Sequence, residues 1–388
     1  MKTLHQAPTD PGFVQNPYPF YAKAREAGPL MFWAEYDLPC ATTHEAVNTL
    51  LRDRRFGREP VEALPVPDHL APFYAVEAHS MLELEPPRHT RLRSLVLRAF
   101  TSRRIKALAP EIEALTHALI GAAPSEPFDL LDALARPLPV TIIARLLGVP
   151  EEMAPDLLRW SNAMVGMYQA GRTGADEDAA VQATEDFVAF MRDYVDRRRA
   201  EPRDDLISHL IAAEEDGEKL STDELITTCI LLLNAGHEAT VHSIGNGVKL
   251  CLETGAQPGE TPALLIEEIL RYDPPLHLFT RYVYEEVALF GHRFQRGDQV
   301  GLLLASAGRD EAVYQDAETF QPDRQDGPAN LAFGAGLHFC VGAPLARLEM
   351  QIALPILFQR CPNLRLAETP TYADIYHFHG LNRLIVQT

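Results

Sequence analysis

Between Thr90 and Tyr272 apolar residues return every three or four positions, the spacing of helices with one buried face. Asp129–Leu147 reads as an apolar helix. Glu152–Tyr168 and Glu177–Arg199 read as amphipathic helices, joined by a stretch that Gly166, Gly171 and Gly174 loosen. Ser221-Thr222-Asp223-Glu224 has the form of a capping box, and no proline follows until Pro258. A helix of about 30 residues, at ~1.5 Å each, would cross the whole protein. Strand-like segments return at Arg281–Tyr284, Ala288–Phe290, Gln299–Leu304 and Leu384–Gln387. Residues 14–59 read as short strands and turns punctuated by Pro17, Pro19 and Gly28, and residues 60–85 as a Pro-rich loop. The pattern predicts a mainly α (α+β) chain forming a single domain over 1–388. Its helical part is mainly 86–272, and its β-rich part mainly 14–59 and 276–388.

Composition narrows the class. The 388 residues can bury a large core, and the net charge is −19. That charge is unevenly placed: Arg88, Arg91, Arg93, Arg98, Arg103, Arg104 and Lys106 follow one another with no acid among them. Nucleic acid would need a broad basic face, whereas a local basic patch on an acidic chain suits an acidic protein partner. The five cysteines, Cys40, Cys229, Cys251, Cys340 and Cys361, make no CxxC pair, and their odd number argues against a disulfide framework. With no HExxH motif either, a zinc or redox-cysteine enzyme is disfavoured. Met1–Pro11 carries no apolar signal region and no run reaches the ~18 apolar residues of a membrane span, so a cytoplasmic location without membrane contact is expected.

The chemistry concentrates around Cys340, in Phe333-Gly334-Ala335-Gly336-Leu337-His338-Phe339-Cys340-Val341-Gly342, followed by Ala343-Pro344-Leu345-Ala346-Arg347. Gly334, Gly336 and Gly342 permit a tight turn and close approach of backbone to a flat cofactor. Pro344 suits a first helical turn, and Leu345, Leu348 and Ile352 continue at helical spacing. Cys340 would thus lie where free N–H groups favour a thiolate, and Phe333 and Phe339 would keep water from the sulfur.

This loop resembles the cysteine-ligand loop of the cytochrome P-450 superfamily, the haem-thiolate monooxygenases. Other segments resemble the same family. Glu268-Ile269-Leu270-Arg271 is an E-x-x-R pair on one helix face, ended by Tyr272-Asp273-Pro274-Pro275. His89-Thr90-Arg91-Leu92-Arg93 follows Glu85-Pro86-Pro87. The likeness runs from Asn16-Pro17-Tyr18-Pro19-Phe20 to the last strand and is strongest over 221–350. It implies a triangular fold, with haem b between the long helix and the cysteine-ligand helix. Cys340 would be the axial ligand of the iron. His89, Arg93, Arg281 and His338 would contact the two propionates, and Glu268, Arg271 and Arg324 would form a buried structural network. The resemblance implies further that His277 and Leu278 line the substrate pocket. The expected partners are a ferredoxin-type electron donor with its reductase, O2 and a small or medium apolar organic substrate. Arg91, Arg98, Arg103 and Arg104 are candidates for the docking face, and the chain is expected to act as a monomer.

The long helix carries Asn234-Ala235-Gly236-His237-Glu238-Ala239-Thr240. The small residues Ala235 and Gly236 would admit haem and oxygen to the helix backbone. Asn234, one turn before Glu238, is a candidate polar contact to substrate. The family's pattern places a hydroxyl residue directly after the acid. Here Glu238 is followed by Ala239, and the hydroxyl comes at Thr240, about 100° further round. Three routes for protons remain: Thr240 through a distorted helix, water held by Glu238 or His237, or an oxygen on the substrate. Ala239 shares a face with Ala235 and Thr240 with Gly236. The missing hydroxyl also leaves room for a haem sensor or carrier without turnover, and for an enzyme driven by peroxide.

Overall fold

The computed structural model describes residues 1–388 apart from 170, 214–218, 260 and 377. Its axis is the helix Thr222–Thr254, 33 residues long. Both halves of its capping box form, Ser221 with the Glu224 amide and Glu224 with the Ser221 amide, and Gly255 ends it in the left-handed conformation at φ 75°. At ~1.5 Å per residue it spans roughly 50 Å. The helices Pro137–Leu147, Ala154–Val165, Gly174–Ala200 and Ala343–Arg360 pack against it, and most of its side chains are buried on every side. No helix of the described residues is long and apolar enough to cross a membrane.

A six-stranded sheet stands beside this helical body. Its strands lie in the order Lys2–Leu4, Leu30–Trp33, Leu38–Ala41, Gln299–Leu303, Leu278–Val283 and Phe56–Gly57. Leu278–Val283 and Gln299–Leu303 pair antiparallel, with Arg281 opposite Val300. One apolar cluster lies under the sheet and includes Leu50, Leu51, Val300, Leu302 and Ala335. Another joins Phe13, Tyr18, Phe20, Tyr21 and Trp33 to Leu278.

Two stretches contain more helix than their prolines suggest. Residues 14–59 hold the helices Tyr18–Glu26 and His44–Arg52, and residues 60–85 hold a 3-10 turn at Asp68–Leu70 and the helix Ala71–Glu77. Pro19 and Pro72 sit in the first turn of their helices, where no N–H is needed and the fixed φ helps. They start helices rather than break them. Asp129–Leu147 divides into a π turn at Leu131–Ala135 and the helix Pro137–Leu147.

The Glu268–Arg271 pair is buried and joined in two places, at 2.6 and 2.8 Å. Arg271 also donates to the carbonyls of Gly308, Ala317 and Thr319. Arg324 closes the network through a 3.1 Å bond to Glu268. With every charge partnered, removing one member would strand the others, a cost of about 3–5 kcal/mol.

Candidate active site

The Cys340 loop is shaped by its backbone. Gly334 and Gly336 have φ of 68° and 70°, which L side chains rarely adopt. A Cβ on Gly336 would also come within 2.6 Å of the Leu51 carbonyl oxygen, so the loop can lie on the end of the helix His44–Arg52 only with glycine there. The Cys340 amide donates back to the Phe333 carbonyl at 3.0 Å and closes the turn. The helix Ala343–Arg360 then starts with Pro344 in its first turn. Burial pushes the Cys340 thiol up, while the amides of Gly342 and Ala343, Arg93 and Arg347 act in the opposite direction. The residue is nevertheless exposed. A sulfur with several donors and positive groups around it suits a metal-bound thiolate.

Cations and donors gather beside the loop. Arg93 donates to the Phe339 carbonyl at 2.6 Å. Arg281 is buried and donates to the Thr280 carbonyl at 2.8 Å. Burial and then Arg58 bring its guanidinium down to about 9. His89 and His338 lie ring to ring at 4.5 Å. Burial, His338 and Arg93 hold His89 down to about 4, and its buried Nδ1 has no hydrogen-bond partner. His338 Nε2 meets Glu85 at 2.8 Å, and the same carboxylate accepts from the Arg58 amide. Surplus buried positive charge and an unpartnered imidazole nitrogen are what two carboxylates of a prosthetic group would satisfy. Sequence reasoning overlooked Glu85 and Arg58, whose link to His338 is entirely tertiary.

The long helix opens on one side only. Ala235 is exposed and Asn234, Gly236, Glu238 and Ala239 are half-buried, in the middle of a helix whose neighbouring turns are mostly buried. The Glu238 carboxylate lies between His237 Nε2 at 3.3 Å and His242 Nε2 at 3.1 Å. Burial raises the Glu238 carboxyl, but the hydrogen bonds of His237 and then His242 outweigh it and hold the acid far below the usual carboxylate range. Thr240 is buried and its hydroxyl donates to the Gly236 carbonyl at 3.2 Å. That hydroxyl is engaged by the helix's own backbone rather than by Glu238.

His277 and Leu278, expected to line the substrate pocket, have partners in the N-terminal segment. His277 is fully buried, with Nδ1 2.9 Å from the Tyr21 hydroxyl and its ring against His379, and Leu278 packs in the aromatic cluster of the N-terminal segment. The His277 carbonyl accepts from the Leu304 amide, while Tyr21 ties the same turn to the helix Tyr18–Glu26. Asp273, His277 and His379 bring possible ligand atoms within 4.8 Å of one another. Within that cluster Asp273 accepts from Tyr18, Tyr372 and His379 at 2.6, 2.7 and 2.9 Å, while Nε2 of His277 and of His379 is buried without a hydrogen-bond partner. In the basic patch, Arg91 pairs with Glu224 and Arg104 with Asp204, so neither is a simple docking charge.

The family model for cytochrome P450 matches residues 31–254 and 263–372. The chain is 37% identical over 379 residues to the cytochrome P450 monooxygenase PikC of Streptomyces venezuelae, covering 92% of this chain and 87% of that protein. It is 37% identical over 388 residues to the vitamin D(3) 25-hydroxylase of Pseudonocardia autotrophica, covering 96% and 94%. The crystal structure of P450BioI in complex with an acyl carrier protein ligated to hexadec-9Z-enoic acid superposes with a TM-score of 0.91 at 32% identity, over 97% of this chain and 99% of that one. With a cysteine loop and a cationic cradle that fit a haem, the chain belongs to the cytochrome P450 family of haem-thiolate monooxygenases.

Proposed function

We propose that this P450 inserts one atom of O2 into a small or medium apolar organic molecule, by hydroxylation or oxidative demethylation. It holds haem b and draws electrons from a ferredoxin-type donor and its reductase. The observation that carries the reading is Cys340, whose sulfur lies by the Gly342 and Ala343 amides within reach of Arg93's charge. When bound, the haem supplies the redox-active iron at which O2 is reduced. Cys340 would ligate that iron, Phe333 and Gly342 would lie against the ring, and His89, Arg93, Arg281 and His338 would hold the propionates. Ala235 and Gly236 give the room above it.

Asn234 is the candidate polar contact to substrate. Its Nδ2 lies 3.7 Å from the Met164 sulfur, and its buried Oδ1 has no hydrogen-bond partner. Relatives acting on vitamin D(3) or holding an acyl-carrier-bound hexadecenoic acid support an apolar substrate of that size. For the donor, Arg103 and Lys106 are exposed, and Leu97 beside Arg98 is 45% exposed, a basic rim with an apolar centre.

The test is spectroscopic. The reduced, carbon monoxide-bound protein should give the thiolate-ligated absorption, and apolar candidates should shift the Soret band as they displace iron-bound water. Absence of the thiolate absorption would overturn the assignment of Cys340. Product formed with peroxide alone, and none with O2 and a reduced ferredoxin, would overturn the electron route.

A further inference from the structure

Glu238 is held by more than its position on the helix. His237 Nδ1 faces the Leu233 carbonyl at 2.8 Å, and its Nε2 faces Asn162 Oδ1 at 3.2 Å and Glu238 Oε2 at 3.3 Å. The Asn162 amide can be turned over, but the carboxylate and the carbonyl accept in either orientation. His237 thus faces acceptors through both ring nitrogens and can give an N–H to the carboxylate. His242 differs. Its Nε2 meets Glu238 Oε1 at 3.1 Å, while its buried Nδ1 has no hydrogen-bond partner, so Nε2 is the nitrogen that donates.

The C-terminal segment fixes the second histidine. The His242 ring lies 5.6 Å from the ring of Phe378. A Cβ on Gly380 would fall 1.9 Å from His242 Nδ1 and 2.5 Å from its Cγ. Any side chain at 380 would thus push the whole ring off Glu238. The titratable groups that act on Glu238 are His237 and His242. The helix Ala154–Val165 contributes the neutral Asn162, and the C-terminal segment contributes the neutral Phe378 and Gly380.

We propose that His237 and His242 form a two-histidine clamp that keeps Glu238 an ionised acceptor on the oxygen side, with His242 as its positioning residue. The clamp, rather than a hydroxyl at 239 or at 240, holds the acid ready to receive and pass protons. This rests on the reading of the Asn234–Ala239 face as the oxygen side, but the ionisation of Glu238 can be measured without turnover.

The experiment is an infrared pH titration of the haem-loaded protein, using Glu238→Gln to identify the protonated-carboxyl band of Glu238. In the wild type that band should be absent down to about pH 5, because two donors stabilise the carboxylate. In His242→Leu it should appear with a midpoint higher by roughly one pH unit or more, and His242→Gln, which keeps an N–H donor, should restore most of the shift. Gly380→Ala should reproduce the leucine variant without touching the long helix, and so carries the test if His242→Leu folds poorly. In turnover, His242→Leu should release more peroxide per O2 consumed on the acid side, and His242→Gln should not. A Glu238 band that titrates in His242→Leu and Gly380→Ala as in the wild type overturns the clamp. A missing thiolate absorption with carbon monoxide would overturn the haem reading instead and leave the titration standing.

Discussion

The Cys340 loop is ten residues of continuous chain whose backbone makes the environment, whereas the Asn234–Ala239 face works through side chains that distant segments hold in place. On the thiolate side the donors are the Gly342 and Ala343 amides, and the shape is set by two glycines at positive φ. On the oxygen side Glu238 depends on His237 and His242, which Asn162, Phe378 and Gly380 hold in turn. Backbone-made chemistry survives changes in its neighbours. Chemistry made by side chains can be retuned by a single distant substitution. The thiolate side should therefore respond to substitution in an all-or-none way, and the oxygen side by degrees.

The largest expected effect is at the ligand itself. Cys340→Ser should abolish the thiolate-type carbon monoxide absorption completely while leaving helical circular dichroism in place. A retained absorption would remove Cys340 from the comparison altogether.

Next comes the ligand helix. Glu349 is buried, its Oε1 has no hydrogen-bond partner, and burial pushes its carboxyl up to about 8. An ordinary glutamate in the unfolded chain titrates near ~4.3, so between about pH 4.3 and 8 the folded state binds the extra proton. Its contribution is fully present below about pH 4.3 and is lost as pH rises through about 8. Glu349→Gln mimics the neutral acid and should remove that loss. The variant should match the wild type near pH 4 and exceed it by up to ~3 kcal/mol at pH 7 in denaturant unfolding of the haem-loaded protein. A constant difference across that range would mean that Glu349 is ionised in the fold.

Gly336→Ala should cost roughly 1–3 kcal/mol, from its φ of 70° and the approach to the Leu51 carbonyl. The check is the melting temperature together with the fraction of protein giving the thiolate absorption. Loss of stability with an unchanged spectrum would show that the loop can shift as a unit. Loss of both would show that this glycine also places the sulfur.

These differences explain what could be read from the chain. The Cys340 loop was legible because its glycines, its proline and its cysteine are constraints at fixed offsets along one segment. The E-x-x-R pair was legible for the same reason, and Arg324 joins it from 56 residues away. The partner of His277 was not legible, because Tyr21, 256 positions earlier, takes its Nδ1 and no local pattern carries that contact. The 60–85 segment was read as loop because Pro72 looks like a breaker until it is seen in a first helical turn. His242 drew no notice, since its role exists only once Gly380 has made room for the ring.

The smallest expected effect decides whether the oxygen side truly works without a helix hydroxyl. Thr240 donates to the Gly236 carbonyl, which the helix ladder can serve without it. Thr240→Val should therefore cost roughly 1 kcal/mol or less. It should leave product formed per electron pair within about twofold of the wild type. Ala239→Thr puts a hydroxyl on the accessible face beside Ala235 and should retain coupled turnover. A roughly tenfold fall in coupling for Thr240→Val would mean that the hydroxyl leaves Gly236 during turnover. The oxygen side would then rest on a moving helix as well as on the histidine clamp, and its contrast with the rigid thiolate loop would be a difference in motion as much as in chemistry.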